Sequence, residues 1–147
     1  MNTDFELKVT PFKTTDKMAF EQARKIRELV FVMEQEVDER EEFDNFEKES
    51  THYLLMADNQ AVGTARWRFI GDKIKLERFA VLKEFRGKQM GDALLQKVIA
   101  DVLPFQKPVY LHAQLKAIPF YSRRGFEKVG ELFLECDIEH FKMELKV

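Results

Sequence analysis

The stretch "KIKLERFAVLKEFRGKQMGDALLQKVIADV", Lys73 to Val102, decides the fold. Its first part, Lys73–Val81, reads as a strand. A basic, glycine-bearing loop follows. From Met90 the residues Leu94, Leu95, Val98, Ile99 and Val102 share one broad helical face, with Gln96, Lys97 and Asp101 away from it. Pro104 stops this helix, and "VYLHAQ", Val109–Gln114, returns as a strand. Strand, helix and strand in this order make one crossover unit.

Working outward, the remaining strands pair as hairpins. "FELKVTPF", Phe5–Phe12, alternates and reads as a first strand ending near Pro11. Thr15 or Asp16 caps a helix whose Ala19, Ala23, Ile26 and Val30 fall on one stripe. A short helix or loop is expected around Asp38–Phe43. His52–Ala57 and Ala61–Ile70 flank the turn at Asp58-Asn59-Gln60, and Gly71-Asp72 turns the chain into Lys73–Val81. Beyond Gln114, a short helix through Tyr121 ends at Gly125. Two strands, roughly Phe126–Leu134 and Ile138–Lys146, close the chain, and the last is expected to be exposed for pairing in a homodimer. The order predicts α/β architecture with a mixed, mostly antiparallel sheet and flanking helices, in one domain over residues 1–147.

Composition narrows the class. The chain has 147 residues, 34% of them charged, and no apolar run of about 18 residues that would span a membrane. Its first ten residues lack the basic and apolar regions of a signal peptide, and Cys136 is the single cysteine. These features lead to the expectation of a reducing, cytoplasmic setting without a membrane partner. A net charge of −2 argues against general nucleic-acid binding. Between Glu34 and Glu49, nine acidic residues oppose only Arg40 and Lys48, a net of −7 that leaves +5 on the rest of the chain. Such a segment is either a solvated face or a funnel for a cationic acceptor, with Glu34 and Gln35 the residues expected to line a pocket.

The loop of the opening stretch has the makings of an anion cradle. The first N–H groups of a helix lack intrahelical partners and carry partial positive charge. Gly87 and Gly91 allow close backbone approach, and Arg86 and Lys88 add full charges. The P-loop ending Gly-Lys-Ser/Thr is missing, as is the full dinucleotide glycine pattern. On the loop alone, a solvated basic turn accounts for these residues equally well.

Three blocks carry a resemblance. "VLKEFRGKQMG", Val81–Gly91, resembles the acyl-coenzyme A loop of the GNAT superfamily of N-acetyltransferases, with Arg86 and Gly91 at the first and last positions of its Gln/Arg-x-x-Gly-x-Gly/Ala pattern and Gln89 in place of the middle glycine. "AIPFYSRRGF", Ala117–Phe126, resembles that family's segment after the fifth strand, with Tyr121 at its usual tyrosine. "RELVFVMEQEVDEREEFD" with "THYLLMADNQAVGTARWR" resembles a subgroup of small single-domain bacterial-type enzymes.

The resemblance implies acetyl transfer from acetyl-CoA, as co-substrate, to a small-molecule or peptide amine. The route would be direct attack in a ternary complex. It implies that the pantetheine arm lies between splayed central parallel strands, Lys73–Val81 and Val109–Gln114, and pairs with the backbone of Phe79, Ala80 and Val81. Arg86, Gly87, Lys88, Gln89, Met90, Gly91 and Asp92 would hold the pyrophosphate. Gln89 would act through its backbone N–H, at negative φ in a first helical turn. Gln114 stands where many members have asparagine. Tyr121 matches the acid that protonates the leaving thiolate, and a bulge near Phe79–Val81 would supply an oxyanion donor.

The base is open. Glu77 has the period-two parity of Phe79 and Val81, so it reads either as a base acting through water or as an ion-pair partner of Arg66, Arg68 or Arg78. His112, on the opposite strand, reads as a structural histidine or as an acceptor-side group. His52, His112 and His140 lack metal-ligand spacing, and Cys136 has no His-Asp arrangement to activate it. The competing reading is a coenzyme A-binding regulatory or degenerate module without turnover. A third is an anion-binding interaction domain with no cofactor.

Overall fold

In the computed structural model, which describes residues 5–146, the crossover lies at the centre of a sheet ordered β1-β2-β3-β4-β5-β7-β6. The strands are β1 (Leu7–Phe12), β2 (Thr51–Ala57), β3 (Gln60–Ile70), β4 (Lys73–Val81), β5 (Val109–Gln114), β6 (Phe126–Glu135) and β7 (Ile138–Leu145). Every neighbouring pair is antiparallel except β4 and β5. The mixed, mostly antiparallel architecture expected from the crossover and hairpins is therefore present.

Helices cover both faces. On one face lies α3 (Met90–Val102), whose Leu94, Leu95, Val98 and Val102 are fully buried against Tyr53, Leu55, Leu76 and Leu111. Burying each of these side chains stabilises the fold by roughly 1.5–3 kcal/mol. On the other face, α1 (Lys17–Arg27) packs Ala23 and Ile26 against Phe12, Leu54 and Ala80. Asp16 caps α1 by accepting from the Ala19 N–H at 3.1 Å. Two short helices complete the chain, α2 (Glu39–Glu42), capped by Asp38, and α4 (Ile118–Ser122).

Three expectations change. Pro11 does not end β1 but lies within it, opposite Tyr53; β1 is an edge strand, where a missing N–H costs no ladder bond. The final strand, β7, is not exposed for pairing, because it inserts between β5 and β6 and leaves β6 at the edge. The first helix does not continue as α-helix through Val30. Glu28–Glu34 winds as a π-helix that still buries Val30, and its far end is held by side chains from across the molecule, a constraint that local periodicity does not contain.

Candidate active site

β4 and β5 pair in parallel only from Ile74–Val109 to Leu76–Leu111, and no partner register continues beyond that point. β5 stays paired with β7 on its other edge from Tyr110 to Gln114, while the residues of β4 past Leu76 lack a neighbour on the β5 side. The strands splay here, as expected. Against β3 the register slips between Thr64–Ala80 and Arg66–Glu77, because β4 carries an extra residue. Arg78 absorbs it at φ +61. A non-glycine residue in this left-handed region is strained, and strained bulges recur beside functional sites. Acidic partners hold it: the Arg78 guanidinium donates to the Glu41 and Glu42 carbonyls at 3.2 Å and to Asp44 Oδ2 at 3.1 Å.

The bulge overturns one parity argument. Phe79 and Val81 pack with the α3-side core, whereas Glu77 faces the α1 side. The extra residue inverts the alternation between them. Glu77 is buried, and its Oε2 accepts from Arg66 and Arg68 at 2.8 Å, with Lys75 Nζ 3.4 Å from Oε1. Burial alone would raise its carboxyl, but Arg66, Lys75, Arg68 and Arg78 outweigh it and hold it at about 2. Of the two readings left open for Glu77, the structure provides the ion pair.

Two cavities meet at the splay. The α1-side cavity takes in Phe31, Gln35, Glu77, His112, Gln114 and Tyr121. The other runs under the opening loop and takes in Gly87, Gln89, Met90, Gly91, Asp92 and Tyr121. Phe79, Ala80, Val81 and Arg86 border both. Nearly all the residues expected at a cofactor site are thus brought together. Lys88, exposed, borders neither cavity, and Gln114 borders only the first. Sequence reasoning missed Phe120, Arg123 and Arg124 on the second wall, although they belong to the motif around Tyr121. Arg124 is ion-paired to Asp92, while exposed Arg123 keeps its charge toward the cavity.

The loop corrects the expectation for Gln89. It is the N-cap of α3 and adopts φ +64, ψ +17, not a negative φ. The middle glycine of the motif is therefore replaced at a left-handed position that glycine occupies at least cost. Gly87 is also left-handed, at φ +76, with open space where a Cβ would be. At Gly91 a Cβ would already touch Phe120 at 3.5 Å. No side chain caps α3, so its first N–H groups face the loop cavity without an intrahelical partner. Bare helix-start donors, a glycine-lined approach and Arg123 fit a pyrophosphate.

Gln35 lines the α1-side cavity, and both it and Glu34, expected at the acceptor, strap the end of the π-helix across the splay. Arg86 donates to both Glu34 oxygens at 2.6 and 2.7 Å, and Gln114 Nε2 donates to Gln35 Oε1 at 2.9 Å. Other acids of the segment turn inward. Glu42 and Glu47 pair with Arg27, and Asp44 and Glu47 pair with Arg66. Four of the nine acids, Glu34, Glu42, Asp44 and Glu47, are thus taken up by arginines from outside the segment.

Tyr121 is buried where the cavities join, with the Phe79 ring 6.2 Å away edge-on. Among the described residues no hydrogen bond engages its hydroxyl, and burial pushes it well above the usual phenol range. His112 Nδ1 lies 2.9 Å from Glu135 Oε1 in the α1-side cavity. Burial first, then Glu41, pushes the Cys136 thiol up to about 11. Among the described residues no three His, Cys, Asp or Glu side chains gather as a metal cluster, and no helix is long and apolar enough to cross a membrane.

Comparison with known proteins agrees with this geometry. The family described as Acetyltransferase (GNAT) domain matches residues 17–147. The chain is 38% identical over 122 residues to the uncharacterized N-acetyltransferase YjcF of Bacillus subtilis (strain 168), covering 80% of this chain and 86% of YjcF. It is 30% identical to protein ElaA of Escherichia coli (strain K12), covering 83% and 84% of the two chains. Among solved structures it resembles an acyl-CoA N-acyltransferase from Pseudomonas aeruginosa, with 27% identity, a TM-score of 0.85, and coverage of 96% and 100%. A GNAT family acetyltransferase from Elizabethkingia anophelis with acetyl-CoA bound shares the fold at 16% identity and a TM-score of 0.69, with 97% and 96% covered.

Proposed function

Because the chain belongs to the GNAT acetyltransferase family, we propose that it moves an acetyl group from acetyl-CoA to a primary amine by direct attack in a ternary complex. One observation carries the reading: the unbonded Tyr121 hydroxyl stands where the loop cavity and the α1-side cavity join. A thioester entering from the loop side and an amine from the other would meet there.

The chain's residues divide the work. The α3 N-terminus, Gly87, Gln89 and Gly91 bind the pyrophosphate through backbone N–H groups, with Arg86 and Arg123 supplying charge. Phe79, Ala80 and Val81, freed by the splay from pairing with β5, offer strand-like bonds to the pantetheine amides. Acetyl-CoA supplies the activated acyl group and the thiolate leaving group. A backbone N–H at the bulge faces the developing oxyanion, preorganised by the strain that Glu42 and Asp44 hold at Arg78. Tyr121, kept protonated by burial, gives its proton to the departing sulfur. Cys136 stays a thiol at neutral pH, which favours direct attack over an acyl-enzyme.

Glu77 serves in this reading to hold Arg66 and Arg68, since a carboxyl at about 2 is too weak a base for an ammonium proton. Gln35, His112 and Gln114 face the amine, and Glu34 opens toward it once phosphate takes Arg86.

Calorimetry with acetyl-CoA and thiol release with phenethylamine, spermidine, glucosamine and lysine ethyl ester test the proposal. We expect micromolar binding and release with at least one amine. Binding without release favours the degenerate module, and no binding removes both readings.

A further inference from the structure

Resting on the acetyltransferase reading, we propose that His112 is the general base that takes the acceptor amine's proton, and that Glu135 is its positioning residue. Alternation on β5 sends Leu111 and Ala113 to the α3-side core and His112 to the opposite cavity, which it shares with Tyr121. An ionised carboxylate only accepts, so the 2.9 Å contact with Glu135 places the proton of a neutral imidazole on Nδ1. The lone pair is then on Nε2, which no hydrogen bond engages among the described residues. The ring is steadied by Phe133, edge-on at 4.9 Å, and by Tyr110 at 5.9 Å.

The carboxylates and histidines nearest in the chain's other elements have partners of their own, and Glu41 meets the Cys136 thiol. Glu77 and Glu42 are held by arginines. His140 Nδ1 contacts the Ile138 carbonyl at 2.7 Å, and its Nε2 lies 3.9 Å from the same Glu135. His52 is buried in the far core, bonded to the Glu47 carbonyl and stacked on Phe12. The charged and titratable groups around His112 are Lys75, Glu77 and Arg78 from β4, Tyr110 from β5, Lys116 beyond it, Tyr121 from α4, Glu135 from β6 with Cys136 after it, His140 and Lys142 from β7, Glu41 and Glu42 from α2, and Arg86 from the loop.

The step balances without a further reagent. His112 Nε2 takes a proton from the ammonium, and the freed amine forms the C–N bond at the thioester carbonyl. The C–S bond then breaks, and the sulfur leaves with the Tyr121 proton. The new amide nitrogen loses its surplus proton, which returns to Tyr121, while His112 releases its proton to solvent. The sum is amide, free coenzyme A and one proton. Since His112 must be neutral to accept, protonating it stops the step and gives the kcat profile an acidic limb that depends on His112.

The test compares wild type, His112→Gln and Glu135→Gln, by pH-dependent thiol release with the fastest of the four amines and by acetyl-CoA calorimetry. His112→Gln should bind acetyl-CoA as wild type does, lose about 10²-fold or more in kcat, and lose the acidic limb of the kcat profile. Glu135→Gln should lower the plateau less and keep the limb. The base assignment is overturned if His112→Gln keeps the limb with kcat within about threefold, or if it loses acetyl-CoA binding. Wild-type protein that neither binds acetyl-CoA nor releases thiol overturns the acetyltransferase reading and, with it, the base.

Discussion

Tyr121 draws its proposed role from what it lacks. Burial keeps the hydroxyl protonated, and the absence of a hydrogen bond among the described residues leaves that proton available. Tyr121→Phe is therefore expected to lower kcat by about 10²-fold while leaving acetyl-CoA affinity within twofold, measured by steady-state kinetics and calorimetry. Equal turnover would remove Tyr121 from the acid role. At Gln89 the left-handed φ costs about 1 kcal/mol relative to glycine. Gln89→Gly should raise the unfolding free energy in urea by up to about that amount and leave cofactor affinity unchanged. A loss of affinity would show that the glutamine side chain, and not its backbone, binds phosphate. Sequence placed both residues in blocks that resemble the family's motifs, and both border the loop cavity. It misjudged the φ of Gln89, because a helix start can be entered from either side of the φ map and the choice is made by the loop's path.

Among the elements, the strap at the end of the π-helix ties Glu34 to Arg86 and Gln35 to Gln114. Arg86, a residue expected to meet the pyrophosphate, is bound in a two-point contact to Glu34, which raises the Arg86 pKa and lowers that of Glu34. In the proposed function, phosphate and Glu34 would compete for one guanidinium. Glu34→Gln should tighten coenzyme A binding about two- to fivefold by calorimetry at low salt, the range of an exposed ion pair, and the gain should shrink as salt rises. Unchanged or weaker binding would mean that Arg86 does not meet the phosphate. The acidic run was plain in the sequence, yet its partners were not. Arg27, Arg66 and Arg78 lie on three different elements and Arg86 in the loop before α3, and only packing brings them to Glu42, Glu47, Asp44 and Glu34.

Across the whole molecule these clamps join the acidic segment to α1 through the buried Arg27 and to the sheet through the buried Arg66. Glu77 is depressed from 4.5 to about 2, and Asp44 from 3.8 to about 2. Both carboxyls are depressed in the folded state, so their contribution is complete above the unfolded values and is lost as pH falls from about 4.5 toward 2. The Glu77 shift alone corresponds to a loss on the order of 3 kcal/mol over that window. Urea unfolding should show stability falling steeply between pH 4.5 and 2, and Glu77→Gln should make the fall shallower. A flat profile in wild type would rule the network out as the source of acid sensitivity.

The sequence by itself determined the strand, helix and strand of the crossover, the helix faces, the glycine loop and the tyrosine motif. These depend on contacts within a few residues, where periodicity and turn chemistry act directly. Only the tertiary structure decided that Arg78 bulges and turns Glu77 away from Phe79, that β7 lies inside the sheet, that Glu34 closes on Arg86, and that Glu135 meets His112. Each of these joins residues distant in sequence or depends on a one-residue slip in register, and such outcomes are set by how whole strands and helices pack against one another.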